Sequence, residues 1–144
     1  MECRHEARIL IAAPQQTVWD ILSDLESWPD WTPTMQSIRA DRDATAGVGS
    51  RFIVKQPGFP AARFVIDTWE EGAAFTWSSN GLGTRTTAHH VLEDADNGCT
   101  NLTLVLEMTG PLARAIWSVA KRKIRRFVDT EADSLRLASE SSQR

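Results

Sequence analysis

The chain has 144 residues, a formal net charge of −3, and ordinary hydrophobic (42%) and charged (24%) fractions. A chain of this size reads as one domain, residues 1–144, able to bury about two-thirds of its unfolded surface. The slightly negative charge argues against a nucleic-acid partner, and no apolar run approaches the roughly 18 residues of a membrane span.

Further exclusions come from particular residues. Met1 to Arg8 lacks the apolar core of a signal peptide, so a cytoplasmic location is expected. Cys3 and Cys99 are then free thiols, with no metal spacing, and neither a metal nor a cofactor is expected. Six Trp and no Tyr are the compositional oddity, implying bulky apolar walls with few phenolic hydroxyls.

In chain order, Arg4–Ala12 predicts a strand with Ile9, Leu10 and Ile11 at its buried end. Pro14-Gln15-Gln16-Thr17 starts a helix with Val18, Trp19, Ile21, Leu22 and Leu25 on one side. Ser27-Trp28-Pro29-Asp30-Trp31-Thr32-Pro33 is a turn or a second short helix. Met35–Arg42 predicts a strand running into a turn over Asp43–Gly47. Arg51–Gln56 alternates, and Pro57-Gly58-Phe59-Pro60 is a loop. Ala62–Glu70 predicts a strand with Phe64, Ile66 and Thr68 on one face and Val65, Asp67 and Trp69 on the other.

Ala74–Ser78 follows with Phe75 and Trp77 on one face, and Ser79–Gly83 is expected to be a flexible loop. Thr84–Glu93 predicts a strand and Asp94–Gly98 a hairpin turn. Thr100–Met108 alternates cleanly, with Leu102, Leu104, Leu106 and Met108 on one face. Gly110–Ala138 then predicts a helix of roughly 40 Å. Its apolar stripe runs through Leu112, Ile116, Val119, Ala120, Ile124, Phe127, Val128, Leu135 and Ala138. Ser139–Arg144 is expected to be a frayed polar tail. A helix this long needs a large apolar surface, and a curved antiparallel sheet with one face uncovered supplies it.

Several stretches carry a family resemblance. They are Ala13-Pro14-Gln15-Gln16-Thr17-Val18-Trp19-Asp20-Ile21-Leu22-Ser23-Asp24 and Trp28-Pro29-Asp30-Trp31. Gly47-Val48-Gly49, Gly81-Leu82-Gly83 followed by His90, Asp96-Asn97-Gly98 and Thr109-Gly110-Pro111-Leu112 add to them. With these the chain resembles the START-like helix-grip superfamily, also called SRPBCC, and within it the bacterial polyketide cyclase/dehydrase-like group. The resemblance implies an α+β helix-grip fold: a curved seven-stranded antiparallel sheet around a long C-terminal helix, with two short helices between strands 1 and 2. It also implies an apolar cavity between helix and sheet that takes lipids, sterols, polyketides or plant-type hormones. The fold alone does not choose among these.

Candidate site residues follow from the expected faces. If Leu92 faces the core, so does His90, the best candidate for a proton donor or polar handle; His89 faces out. A plain core histidine is the competing reading. Trp28, Trp31 and Trp77 are either core packing or the wall of a cavity for a flat ligand. Arg51, Arg63, Asp67 and Arg85 read as solvated strand residues. Lys121-Arg122-Lys123-Ile124-Arg125-Arg126 reads as the wet side of the helix, with Asp129, Glu131 and Asp133 partly balancing it. No nucleophile elbow, phosphate loop or dinucleotide fingerprint occurs.

The leading expectation is a protein, monomer or homodimer, that binds a small hydrophobic ligand (lipid, isoprenoid or polyketide-like). Its expected lining is Trp31, Phe52, Val54, Trp77, His90, Leu104, Ile116, Ala120 and Phe127. The alternatives are a polyketide cyclase or aromatase that uses His90, and a module that docks on a protein or an anionic surface.

Overall fold

The computed structural model describes residues 3–41 and 46–143, which leaves most of the expected turn over Asp43–Gly47 outside the described residues. Seven strands form one antiparallel sheet: β1 (Arg4–Ile11), β2 (Ser37–Ala40), β3 (Arg51–Lys55), β4 (Ala62–Glu70), β5 (Ala74–Gly81), β6 (Thr84–Ala95) and β7 (Cys99–Thr109). Their order is β1-β7-β6-β5-β4-β3-β2. The last six follow one another across the sheet as a meander, and β1 closes the sheet beside β7. Helix α1 (Gln15–Leu22) and a 3-10 segment (Leu25–Asp30) lie between β1 and β2, and α2 (Ala113–Ser141) ends the fold.

The 29 residues of α2 span about 43 Å at 1.5 Å per residue. Its buried residues are Ala113, Trp117, Ile124, Val128, Ala132, Leu135 and Ser139. Spacings of three, four and seven gather them on one stripe, which packs on β1, β7 and α1. Two expectations about this helix are corrected. Val119 is 90% exposed and so lies off the core stripe. The tail does not fray at Ser139: that residue is fully buried, and the Glu140 carboxylate accepts a 2.9 Å hydrogen bond from the Ala12 amide.

The helix start is tied to the β5–β6 turn. The Leu112 amide donates to the Gly83 carbonyl at 3.1 Å. Gly110 has φ of 112°, and a Cβ there would lie 2.5 Å from that same carbonyl oxygen. Only glycine fits such an approach without a shift. The expected flexible loop over Ser79–Gly83 is instead mostly ladder, with Ser79, Asn80 and Gly81 paired to Thr86, Arg85 and Thr84. Leu82 and Gly83 alone make the turn, both with positive φ, as two-residue hairpins require.

Strict alternation also fails once in β4. The β4–β5 register shifts between Ile66 and Thr68. This bulge puts Trp69 opposite Phe75 and on the core side, where it meets Trp19 edge-on at 5.1 Å; the strand period alone assigns it to the outer face. Glu71 then accepts from both indoles, Trp19 Nε1 at 3.1 Å and Trp69 Nε1 at 2.7 Å. In β1 only Ile11 of the expected apolar end is fully buried, because alternation turns Leu10 to solvent.

Candidate functional site: a cavity between sheet and helix

Helix α2 packs closely on the β1–β7 side of the sheet. A cavity of about 560 Å³ lies between it and strands β3 to β7. That volume is in the range that holds a drug-sized molecule. Carbon dominates the wall: Met35, Val54, Phe64, Trp77, Ala88 and Leu106 line it beneath Ile116, Ala120, Ile124 and Phe127 of the helix. One end is formed where the β3–β4 loop meets α2. There the Phe59 and Phe127 rings pack edge-on at 5.6 Å, with Lys123 Nζ 4.4 Å from the Phe59 ring.

Of the nine residues expected at the lining, seven border this cavity: Val54, Trp77, His90, Leu104, Ile116, Ala120 and Phe127. Two do not. Phe52 is buried one layer deeper, 6.0 Å from the Trp77 ring. Trp31 packs against Trp28 at 5.4 Å, and it is Trp28 that borders the cavity. Trp31 Nε1 is buried and has no hydrogen-bond partner among the described residues. The solvated reading of the strand charges matches their surroundings: Arg63 pairs with Asp41 and Arg85 with Asp67, each at 3.5 Å.

His90 sits in β6 opposite Phe75 and Leu104, with its ring facing inward. It stacks on Phe75 with ring centroids 4.1 Å apart and meets Trp28 edge-on at 5.5 Å. Nδ1–H donates to the Phe75 carbonyl at 3.2 Å, which leaves the Nε2 lone pair as the acceptor. Burial in this aromatic cage pushes the pKa down to about 3; the bond to Phe75 opposes that shift, and His89 adds to it. The ring is therefore neutral at physiological pH. His89 turns to the other face, beside Thr76 (3.2 Å) and Glu107 (3.5 Å).

The polar residue that sequence reasoning missed is Glu131. Its residue type assigns it to the wet side of the helix, yet it borders the cavity from α2. Its carboxyl has neither a hydrogen bond nor an ion pair among the described residues, and burial pushes its pKa up to about 8. The spacing carries a signal for this. Glu131 follows Phe127 by four and Ile124 by seven, one turn along the same face. At pH 7 the cavity thus presents a neutral imidazole acceptor from the sheet and a protonated carboxyl donor from the helix. No group of three or more His, Cys, Asp or Glu residues able to hold a metal lies together among the described residues.

Comparison with solved structures gives the same architecture at low identity. A protein from Thermus thermophilus superposes with a TM-score of 0.73 at 18% identity, covering 98% of this chain and 99% of that one. A START superfamily protein from Mycobacterium smegmatis gives 0.69 at 16%, covering 96% and 97%. The ZhuI aromatase/cyclase from a Streptomyces species gives 0.71 at 14%, covering 98% and 95%. Identities this low establish the fold alone. No curated protein matches the chain. The family model for polyketide cyclase/dehydrase and lipid transport proteins matches residues 2–140, nearly the whole sequence, and the chain belongs to that family.

Proposed function

We propose that this protein binds one small, largely apolar molecule in the cavity under α2, oriented by a polar group that meets His90 or Glu131. The observation that carries the reading is the lining: a mostly carbon wall on which the buried polar groups include a neutral acceptor, His90, and a neutral donor, Glu131, with Gln56, Arg63, Asn80 and Thr86 also bordering the space. Apolar area supplies the affinity in such a site, and a few polar contacts set the orientation. A ligand carbonyl would accept from Glu131, and a ligand hydroxyl would donate to His90 Nε2. Thermal shift against lipids, isoprenoids and aromatic polyketides tests it. A ligand at a hundred times its Kd adds about 2.7 kcal/mol to stability, and a panel with no shift counts against the reading.

A cyclase is the second reading, and Glu131 supports it as a proton donor inside the cavity. His90 is a poor base, however. With a pKa of about 3, protonating it at pH 7 costs about 5 kcal/mol, which weakens general-base catalysis. Carriage therefore ranks first. Turnover of a poly-β-ketone that is lost in Glu131→Gln with binding retained would reverse the ranking.

A further inference from the structure

The first half of α2 has a one-sided charge. Between Leu112 and Val128 lie Arg114, Lys121, Arg122, Lys123, Arg125 and Arg126 and no Asp or Glu, in a protein whose net charge is −3. None of these six cations is in an ion pair among the described residues. Leu112, Ala115, Val119, Arg122 and Arg126 follow each other by three, four, three and four, so they share one flank of the helix. That flank adjoins the face that carries Ile116, Ala120 and Phe127 over the cavity.

The same flank carries exposed aliphatic side chains. Val119 is 90% exposed and Leu112 48%. Leu82, 81% exposed, stands at the tip of the β5–β6 hairpin and also borders the cavity. The hairpin reaches the helix through Gly83, whose nearest side-chain neighbour is Leu112. Leu82 has φ of 52°, a left-handed conformation that favours Gly or Asn in a two-residue hairpin. A leucine held there gains no burial and strains the turn, so folding gives no reason for it.

We propose that Leu82, Leu112 and Val119, with Arg122 and Arg126 beside them, dock the cavity mouth on an anionic lipid bilayer. Aliphatic tips enter the headgroup boundary while neighbouring cations meet lipid phosphates, the pairing that holds peripheral proteins on membranes. Charge complementarity selects an anionic surface. The exposed aliphatic residues favour lipid over RNA, because this flank has no aromatic ring on which bases could stack. Docking is independent of what the cavity holds, so it stands or fails separately from the ligand-binding reading.

Flotation of the full chain with vesicles tests it, comparing pure phosphatidylcholine with ~30% phosphatidylglycerol at low and high salt. Binding at least about tenfold stronger on the anionic vesicles, reduced by salt, is expected. Arg122→Glu with Arg126→Glu should remove most of it, and Val119→Asp should weaken it; both change solvent-facing sites. Leu82→Asn is the sharpest variant: it relieves the turn, so Tm should rise while vesicle binding falls. Equal binding to both vesicle types, binding unmoved by these variants, or binding to homopolymeric RNA tighter than to the anionic vesicles at the same salt and unmoved by Val119→Asp would each overturn the proposal.

Discussion

Glu131 and His90 give this fold a stability profile against pH that can be worked out in advance. Burial holds the Glu131 pKa at about 8 against an ordinary 4.5, and the His90 pKa at about 3 against 6.5. Folding therefore favours protonated Glu131, and that contribution falls away as pH rises from 4.5 to 8. Folding also favours neutral His90, and that contribution falls away as pH drops from 6.5 to 3. Each slope is about 1.4 kcal/mol per pH unit.

Between pH 4.5 and 6.5 the slopes oppose and stability is flat. From pH 6.5 to 8 Glu131 acts alone and removes about 2 kcal/mol, less to the extent that water in the cavity reaches the carboxylate. That is roughly 4–8 °C in Tm for a chain of this size. The acid arm is shared with Glu6, whose pKa its hydrogen bonds to Arg4 and Arg8 lower, so the alkaline arm is the diagnostic one. Urea melts at half-unit pH steps would read it. In Glu131→Gln the alkaline loss should vanish, with stability rising from pH 3 to 6.5 and staying level above. An alkaline decline that survives in Glu131→Gln, or a wild-type curve flat from pH 6.5 to 8, would refute the assignment of Glu131 to a desolvated site.

Three further expectations concern the scaffold. Trp117→Ala removes a fully buried indole between α2 and the sheet and should cost about 3–5 kcal/mol by denaturant titration. Gly110→Ala drives a Cβ to 2.5 Å from the Gly83 carbonyl at a φ of 112°; Tm should fall, with a cost of about 1–3 kcal/mol or more. Trp31→Phe deletes a buried indole N–H that has no partner among the described residues; stability should hold or rise by up to about 1 kcal/mol, and a clear loss would mean that the N–H is satisfied in solution.

The helix-grip architecture was legible because its signals are regular. Clean alternation in β7 sets the inward face of Leu102 and Leu104, and pairing of Leu92 with Leu102 carries His90 to the same side. Reading failed where one residue breaks a period or where residue type misleads. The bulge after Ile66 turns Trp69 inward, and no composition marks it. Val119 is apolar and in helical step with Ile116, so it reads as core, yet it projects beyond the cavity into solvent. Glu131 is the converse, a charged residue type on the cavity face. A stripe drawn through apolar residues alone therefore includes Val119, which is exposed, and omits Glu131, which borders the cavity. The Trp28–Trp31 pair carried no sign of which indole borders the cavity, since both lie in one short Pro-containing segment.

The central claim is that the space under α2 is a ligand site. Ala120 faces that space from the helix, so Ala120→Trp fills it with little change elsewhere. The deciding measurement is titration of an apolar fluorescent probe into the wild type and this variant, with far-UV circular dichroism to confirm that both are folded. The account predicts one probe per wild-type chain and affinity at least about tenfold weaker in Ala120→Trp, since each 1.4 kcal/mol of lost contact is a factor of ten. Equal affinity in a folded Ala120→Trp would put the probe elsewhere and contradict it.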